Sequence, residues 1–276
     1  MSGRFTYRRV IIGQGAITGS GHTVEIAVRL AAIGSASLKG LFVEEAGLLD
    51  LADLPFSTAI KRGSAGPRNL SRTELEQAFL LSARRLRQEL AERARRLRIA
   101  WDFAALRGDI VSALTSECRS GDVVVLAGFS GGVTAADAVA ALRRIPPEAA
   151  GVLIAAGQDQ RKDGPVVVID EGGDSGQRIV ELGEEIARGL DLSLIVIAHG
   201  RRGAGDRPPA GQEILRLEAG SVGEVVRALT RLHPWCVVAG MAGPLFDDDQ
   251  TARAILSASA APVLLMRGEP AAPQPS

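Results

Sequence analysis

Cysteine, histidine and aromatic residues are scarce in this chain of 276 residues, which has two Cys, three His, one Tyr, two Trp and seven Phe. Two cysteines cannot build a disulfide framework. Cys118 and Cys236 each sit in or beside an apolar run, so both read as small core hydrophobes in a reducing setting. His22, His199 and His233 are far apart and form no metal-ligand spacing. No uncharged apolar run reaches the roughly 18 residues of a membrane span, and no signal peptide is visible before residue 10. A cytoplasmic location is therefore expected. Formal net charge is zero, with 32 basic and 32 acidic residues, which excludes a globally basic nucleic-acid surface.

What the chain has in quantity is apolar sequence. Such residues make up 46% against 23% charged, enough for substantial cores. Short apolar runs alternate with helical patterns. Residues 10–13, 38–43, 100–106, 122–128 and 151–156 read as strands, with helices at about 22–33 and 71–98. The order then restarts, with strands at 165–170, 192–198, 213–217, 235–240 and 262–267 and helices at 174–190, 221–232 and 249–259. Asp174 with Gln177, and Ser221 with Glu224, have capping-box spacing. Strands alternating with helices argue for parallel sheet, and continuous runs such as Val123-Val124-Val125-Leu126 suit strands covered on both faces.

The two halves overlay. Residues 10–14 match 166–170, 108–111 match 220–223, 124–128 match 236–240, and 150–154 match 261–265. One internal repeat explains two rounds of five strands better than a single ten-strand unit. This predicts a first module over 1–157, a second and shorter one over 164–268, and a frayed tail over 269–276. The first half alone has the long segment 44–70, read as irregular, and the helix after it. That helix is arginine-rich over 84–98: Arg84, Arg85, Arg87, Arg93, Arg95, Arg96 and Arg98 stand beside Glu89 and Glu92. Leu75, Phe79, Leu86, Leu90 and Leu97 form its apolar stripe. It reads either as a solvated face or as a surface for a protein partner, a phosphate or RNA. It lacks the interleaved aromatics of single-strand nucleic-acid binding.

Four features carry candidate chemistry. The turn from Gly13 to Gly21 is glycine-rich and stands between a strand and a helix, where backbone N–H groups can hold an anion or simply turn the chain. It is no Walker A loop, since His22-Thr23 stand where Lys-Ser/Thr belongs. Each half has a Gly-x-x-Gly turn after its fourth strand, Gly128 with Gly131 and Gly240 with Gly243, at the strand ends where α/β sheets bind ligands. Asp170 ends the first strand of the second half and suits a ribose contact or a turn cap; Gln14 replaces it in the first half. Ser130 sits in Gly128-Phe129-Ser130-Gly131-Gly132, which fits a nucleophile elbow, with Asp170 or Asp206 and His199 or His233 as partners in order.

The strand order, the acidic strand end at Asp170, the Gly108-Asp109-Ile110 helix start and the paired Gly-x-x-Gly turns together resemble the universal stress protein family. The resemblance covers about residues 8–157 and 164–268. It implies an α/β fold of two tandem five-stranded parallel-sheet modules of the adenine nucleotide alpha hydrolase-like type, the second lacking one helix. It also implies that modules pair through their last strands, here within one chain as an intramolecular pseudo-dimer, with homodimers as the further option. Some members of the family bind ATP with Mg²⁺. They carry Gly-x-x-Gly, nine residues, then Gly-Ser/Thr; the corresponding positions here are Ala141-Leu142 and Arg253-Ala254, so neither half has that element. Asp247, Asp248 and Asp249 also put negative charge where a triphosphate would lie. The expectation is a non-catalytic stress-type protein that binds a small ligand, with an adenine nucleotide as the one to test, or a partner protein. The candidate ligand residues are Asp170, Gly240, Gly243, Gly128, Gly131 and Gln14. A degenerate module pair acting as an interaction scaffold, and a small hydrolase using Ser130, are the alternatives.

Overall fold

The computed structural model describes residues 7–15, 21–54, 58–59, 68–69, 71–127, 134–155, 164–200 and 215–267. The first half runs β1 (Arg9–Gly15), α1 (Gly21–Ile33), β2 (Ser37–Glu45), α2 (Ala46–Ala52), β3 (Thr58–Ala59), β4 (Arg68–Asn69), α3 (Arg72–Arg96), β5 (Trp101–Gly108), α4 (Ile110–Glu117), β6 (Asp122–Ala127), α5 (Ala135–Arg144) and β7 (Gly151–Ala155). The second half runs β8 (Val166–Asp170), α6 (Gly173–Leu190), β9 (Leu194–His199), β10 (Leu215–Ala219), α7 (Val222–Leu232), β11 (Cys236–Gly240), α8 (Pro244–Asp247), α9 (Asp249–Ser259) and β12 (Val263–Met266). Among the described residues, α3 has no counterpart in the second half. None of their helices is long and apolar enough to cross a membrane.

Ten strands form one sheet in the order β10-β9-β8-β11-β12-β7-β6-β1-β2-β5. Within each half every pair of this sheet is parallel, and β3 with β4 forms a separate antiparallel pair; β7 and β12 pair antiparallel at the centre of the large sheet. Leu153 faces Leu264 there, Val152 faces Leu265 and Ile154 faces Val263. Leu153 meets its own counterpart, and Val152 and Ile154 each meet the counterpart of the other, the self-complementary pattern of a two-fold contact. The halves therefore point their carboxyl strand ends at opposite edges of the sheet.

Side-chain alternation sends Val10, Ile12, Val123 and Val125 to one face, under α1, α3 and α6. Ile11, Val124 and Leu126 go to the other, under α4, α5, α7 and α9. The same division corrects one overlay. Val123 shares a face and a register level with Cys236, so the match of Val124 to Cys236 is one residue out, and Gly240 stands level with Ala127. A one-residue slip exchanges faces, but an unbroken valine run has no alternation by which sequence could reveal it.

Local chemistry explains where the helices begin and end. Asp109 accepts from the Ser112 N–H at 2.8 Å and starts α4. Thr134 and Asp137 form a full capping box on α5, which the sequence reading did not include. The boxes it did include are absent. Gly172 precedes α6 with no side-chain cap, and Ser221 precedes α7 without a cap bond while Glu224 reaches back to the Gly220 N–H at 2.7 Å. Left-handed Asp191, His233 and Ala260 stop α6, α7 and α9. Part of the segment read as irregular forms α2. The strand expected at 213–217 lies two residues later, as β10.

Candidate functional site

The carboxyl ends of β8, β9, β10 and β11 bring Asp170, His199, Ala219 and Gly240 to one edge of the sheet. Asp170 is 7% exposed. Its Oδ1 accepts from the Gly172 N–H at 2.9 Å, which closes the turn into α6. Its Oδ2 accepts from Arg216 of β10 at 3.1 Å. The carboxylate is thus engaged both by the turn and by a cation from two strands away. His199 Nδ1 is 3.0 Å from the Ala219 carbonyl oxygen, which ties β9 to the end of β10.

Glu171 is the residue that sequence reasoning passed over. It follows Asp170, and its side chain crosses to the Gly-x-x-Gly turn after β11. Oε1 accepts from the Leu245 N–H at 3.1 Å, in the first turn of α8. Oε2 lies so close to Gly243 that a Cβ there would collide with it, and it also borders Gly240. Gly243 has an ordinary extended φ of −83°, so space rather than backbone freedom requires glycine. Burial pushes the Glu171 carboxyl up, and Asp170 adds to this; the Leu245 N–H and His199 act the other way. Only one clue was available in sequence, a second acid directly after Asp170, and its partner lies 74 positions away.

The next helix is closed in the same manner. Asp248 accepts from the Thr251 N–H at 2.7 Å and caps α9; its hydrogen bonds with Thr251 hold its carboxyl below the usual range. Asp249 is gripped at 2.8 Å by Arg143 of α5, which also donates to the Phe246 and Asp247 carbonyls. Arg253 and Ala254, which stand where the family has Gly-Ser/Thr, are exposed residues inside α9. Ala141 and Leu142 are buried inside α5.

In the first half, Gln14 is half-buried near the end of β1, level with Phe42 of β2. Gly128, Gly131 and Ser130 lie outside the described residues, as does Asp206. The carboxyl end of β6, at Ala127, is at the edge opposite Asp170 and His199, because β7 and β12 run antiparallel. No group of three or more His, Cys, Asp or Glu side chains is placed to hold a metal among the described residues. Burial pushes the half-buried Cys118 thiol up to about 11 and the Cys236 thiol up to about 12, so neither is a ready nucleophile.

No family model matches the sequence, and no curated protein matches it. Solved structures do. A universal stress protein from Archaeoglobus fulgidus superposes with a TM-score of 0.59 at 13% identity, covering 96% of this chain and 97% of that one. A candidate universal stress protein from Pseudomonas aeruginosa gives 0.58 at 15%, covering 95% and 93%. A functionally unknown protein from Pseudomonas aeruginosa gives 0.59 at 16%, covering 95% and 92%. The chain therefore has the universal stress protein fold over nearly its whole length.

Proposed function

We propose that this chain is a universal-stress-type protein that acts without catalysis, through a protein partner, and that its second strand-end site is closed to nucleoside triphosphates by Glu171. The position of the Glu171 carboxylate carries this reading. It takes the N–H of Leu245 and fills the space beside Gly243, the same donors and space that the Gly-x-x-Gly turn would offer a phosphate. Asp248 already occupies the next helix start. A phosphate entering beside either carboxylate meets like charge; two unit charges 4 Å apart at a protein surface repel by about 4 kcal/mol. Asp170 would also have to leave Arg216 to serve a ribose.

The exposed guanidinium groups of α3 supply the partner surface. Arg84, Arg85, Arg87, Arg95 and Arg96 are all exposed, which suits an acidic protein face. The nucleotide-binding reading predicts the opposite behaviour at the strand ends, so one measurement separates the two. Purified protein is expected to carry no nucleotide after denaturing extraction, and to show no thermal shift with millimolar ATP and Mg²⁺. A clear shift, or stoichiometric co-purified nucleotide, would overturn the closed-site reading. A shift gained only by Glu171→Ala would support it directly.

A further inference from the structure

One cleft lies away from both strand ends. Helices α1, α3 and α6 surround a cleft of about 360 Å³, formed on its α6 side by Gly189 and lined by Glu25, Val28, Arg29, Ala32, Ile33, Arg93, Arg96 and Leu97. It joins the two halves, since α6 belongs to the second. A Cβ on Gly189 would come within 2.8 Å of Ile33, so the glycine lets α6 close on α1 and complete the wall.

The lining is apolar below and cationic at the rim. Arg29 donates to Glu25 at 2.6 Å. Arg93 is shared between Glu25 and Glu89. Among the described residues no carboxylate pairs with Arg96, and burial together with the charge of Arg96 pushes the Arg93 guanidinium down. Arg29 and Arg93 are thus held by carboxylates, and the exposed Arg96 is the cleft cation left without a paired carboxylate among the described residues. Leu97, assigned by periodicity to the packed stripe of α3, instead stands 48% exposed at the mouth. Arginine stems alone would cover an apolar floor, but they account neither for an open volume in the range of small-molecule sites nor for a leucine left at its lip.

We propose that this cleft binds an amphipathic monoanion, a medium-chain aliphatic carboxylate, with its head on Arg96 beside Arg93 and its chain along Val28, Ala32, Ile33 and Leu97. The one unpaired guanidinium, with the Glu25 carboxylate in the same lining, favours a singly charged head over a polyphosphate, and the apolar Val28, Ala32, Ile33 and Leu97 favour an alkyl chain over a small ion. This is independent of the closed strand-end site. Isothermal titration with decanoate below its micelle-forming concentration tests it, with acetate as the head-only control and decanol as the tail-only control. The expected result is one saturable decanoate site per chain, weakened at least tenfold by Arg96→Glu or by Ala32→Leu, with acetate and decanol each at least tenfold weaker. Circular dichroism checks that the variants fold, and exposed Arg96→Glu decides alone if Ala32→Leu does not. No saturable decanoate heat, decanol binding as well as decanoate, or binding unchanged by Arg96→Glu would each overturn the proposal.

Discussion

Asp122 and Glu44 both hold arginines, and their burial separates what the two pairs contribute. Asp122 is 2% exposed at the start of β6. It accepts from Arg9 at 2.6 Å and 3.1 Å and from the Arg119 N–H at 2.6 Å. Removing it leaves the mostly buried Arg9 guanidinium, among the described residues, with the Glu117 carbonyl as its remaining hydrogen-bond acceptor. Asp122→Ala is therefore expected to cost about 3 kcal/mol, the range for breaking a buried pair, read from the urea midpoint at unchanged slope. The half-exposed Arg107–Glu44 pair at 3.0 Å is screened by water, and Arg107→Ala should cost less than about 1 kcal/mol. Equal losses would refute this ranking. The sequence placed Asp122 only as a strand start, since Arg9 is 113 positions away.

At the scale of the element, α8 is a single turn held by a side chain from another strand. Its four residues cannot be stable as an isolated helix; Pro244 at its first position and the Glu171 bond to Leu245 set its start. Arg143 takes the carbonyls at its other end. Gly243→Ala drives a methyl into Glu171 and should destabilise by about 1–3 kcal/mol, the usual cost of overpacking. Glu171→Ala should relieve most of that added cost, so the double-mutant cycle is expected to show coupling above about 0.5 kcal/mol. Additive effects would mean that Glu171 does not occupy the turn. The reading of Gly240 and Gly243 as ligand residues rested on the glycine pattern, which has the same appearance whether the space is for a ligand or for the chain's own carboxylate.

The whole molecule is joined along β7 and β12, and both core layers run through that seam. Leu153 and Leu264 belong to one layer, with α1 and α6; Val152 and Leu265 belong to the other. Hydrophobic burial continuous across the centre predicts one cooperative unfolding unit rather than two. Trp101 lies in the first half and Trp235 in the second. Trp101→Phe and Trp235→Phe each leave one reporter, and their fluorescence midpoints in urea, each set against circular dichroism of the same variant, are expected to coincide. Midpoints that separate in either variant would show that the halves unfold independently.

The sequence alone determined the α/β class, the two rounds of five strands and the extra arginine-rich helix, because strand runs, helical periods and turn residues are local signals. The overlay of Val10 on Val166 does keep both residues on one face of the sheet. Only the tertiary structure decided the register of β6 against β11, since an all-valine strand buried on both sides carries no alternation. It alone turned Leu97 outward to a cleft, and it alone put Glu171 into the glycine turn. Those outcomes depend on contacts between residues far apart in the chain, for which no spacing in the sequence is a signal.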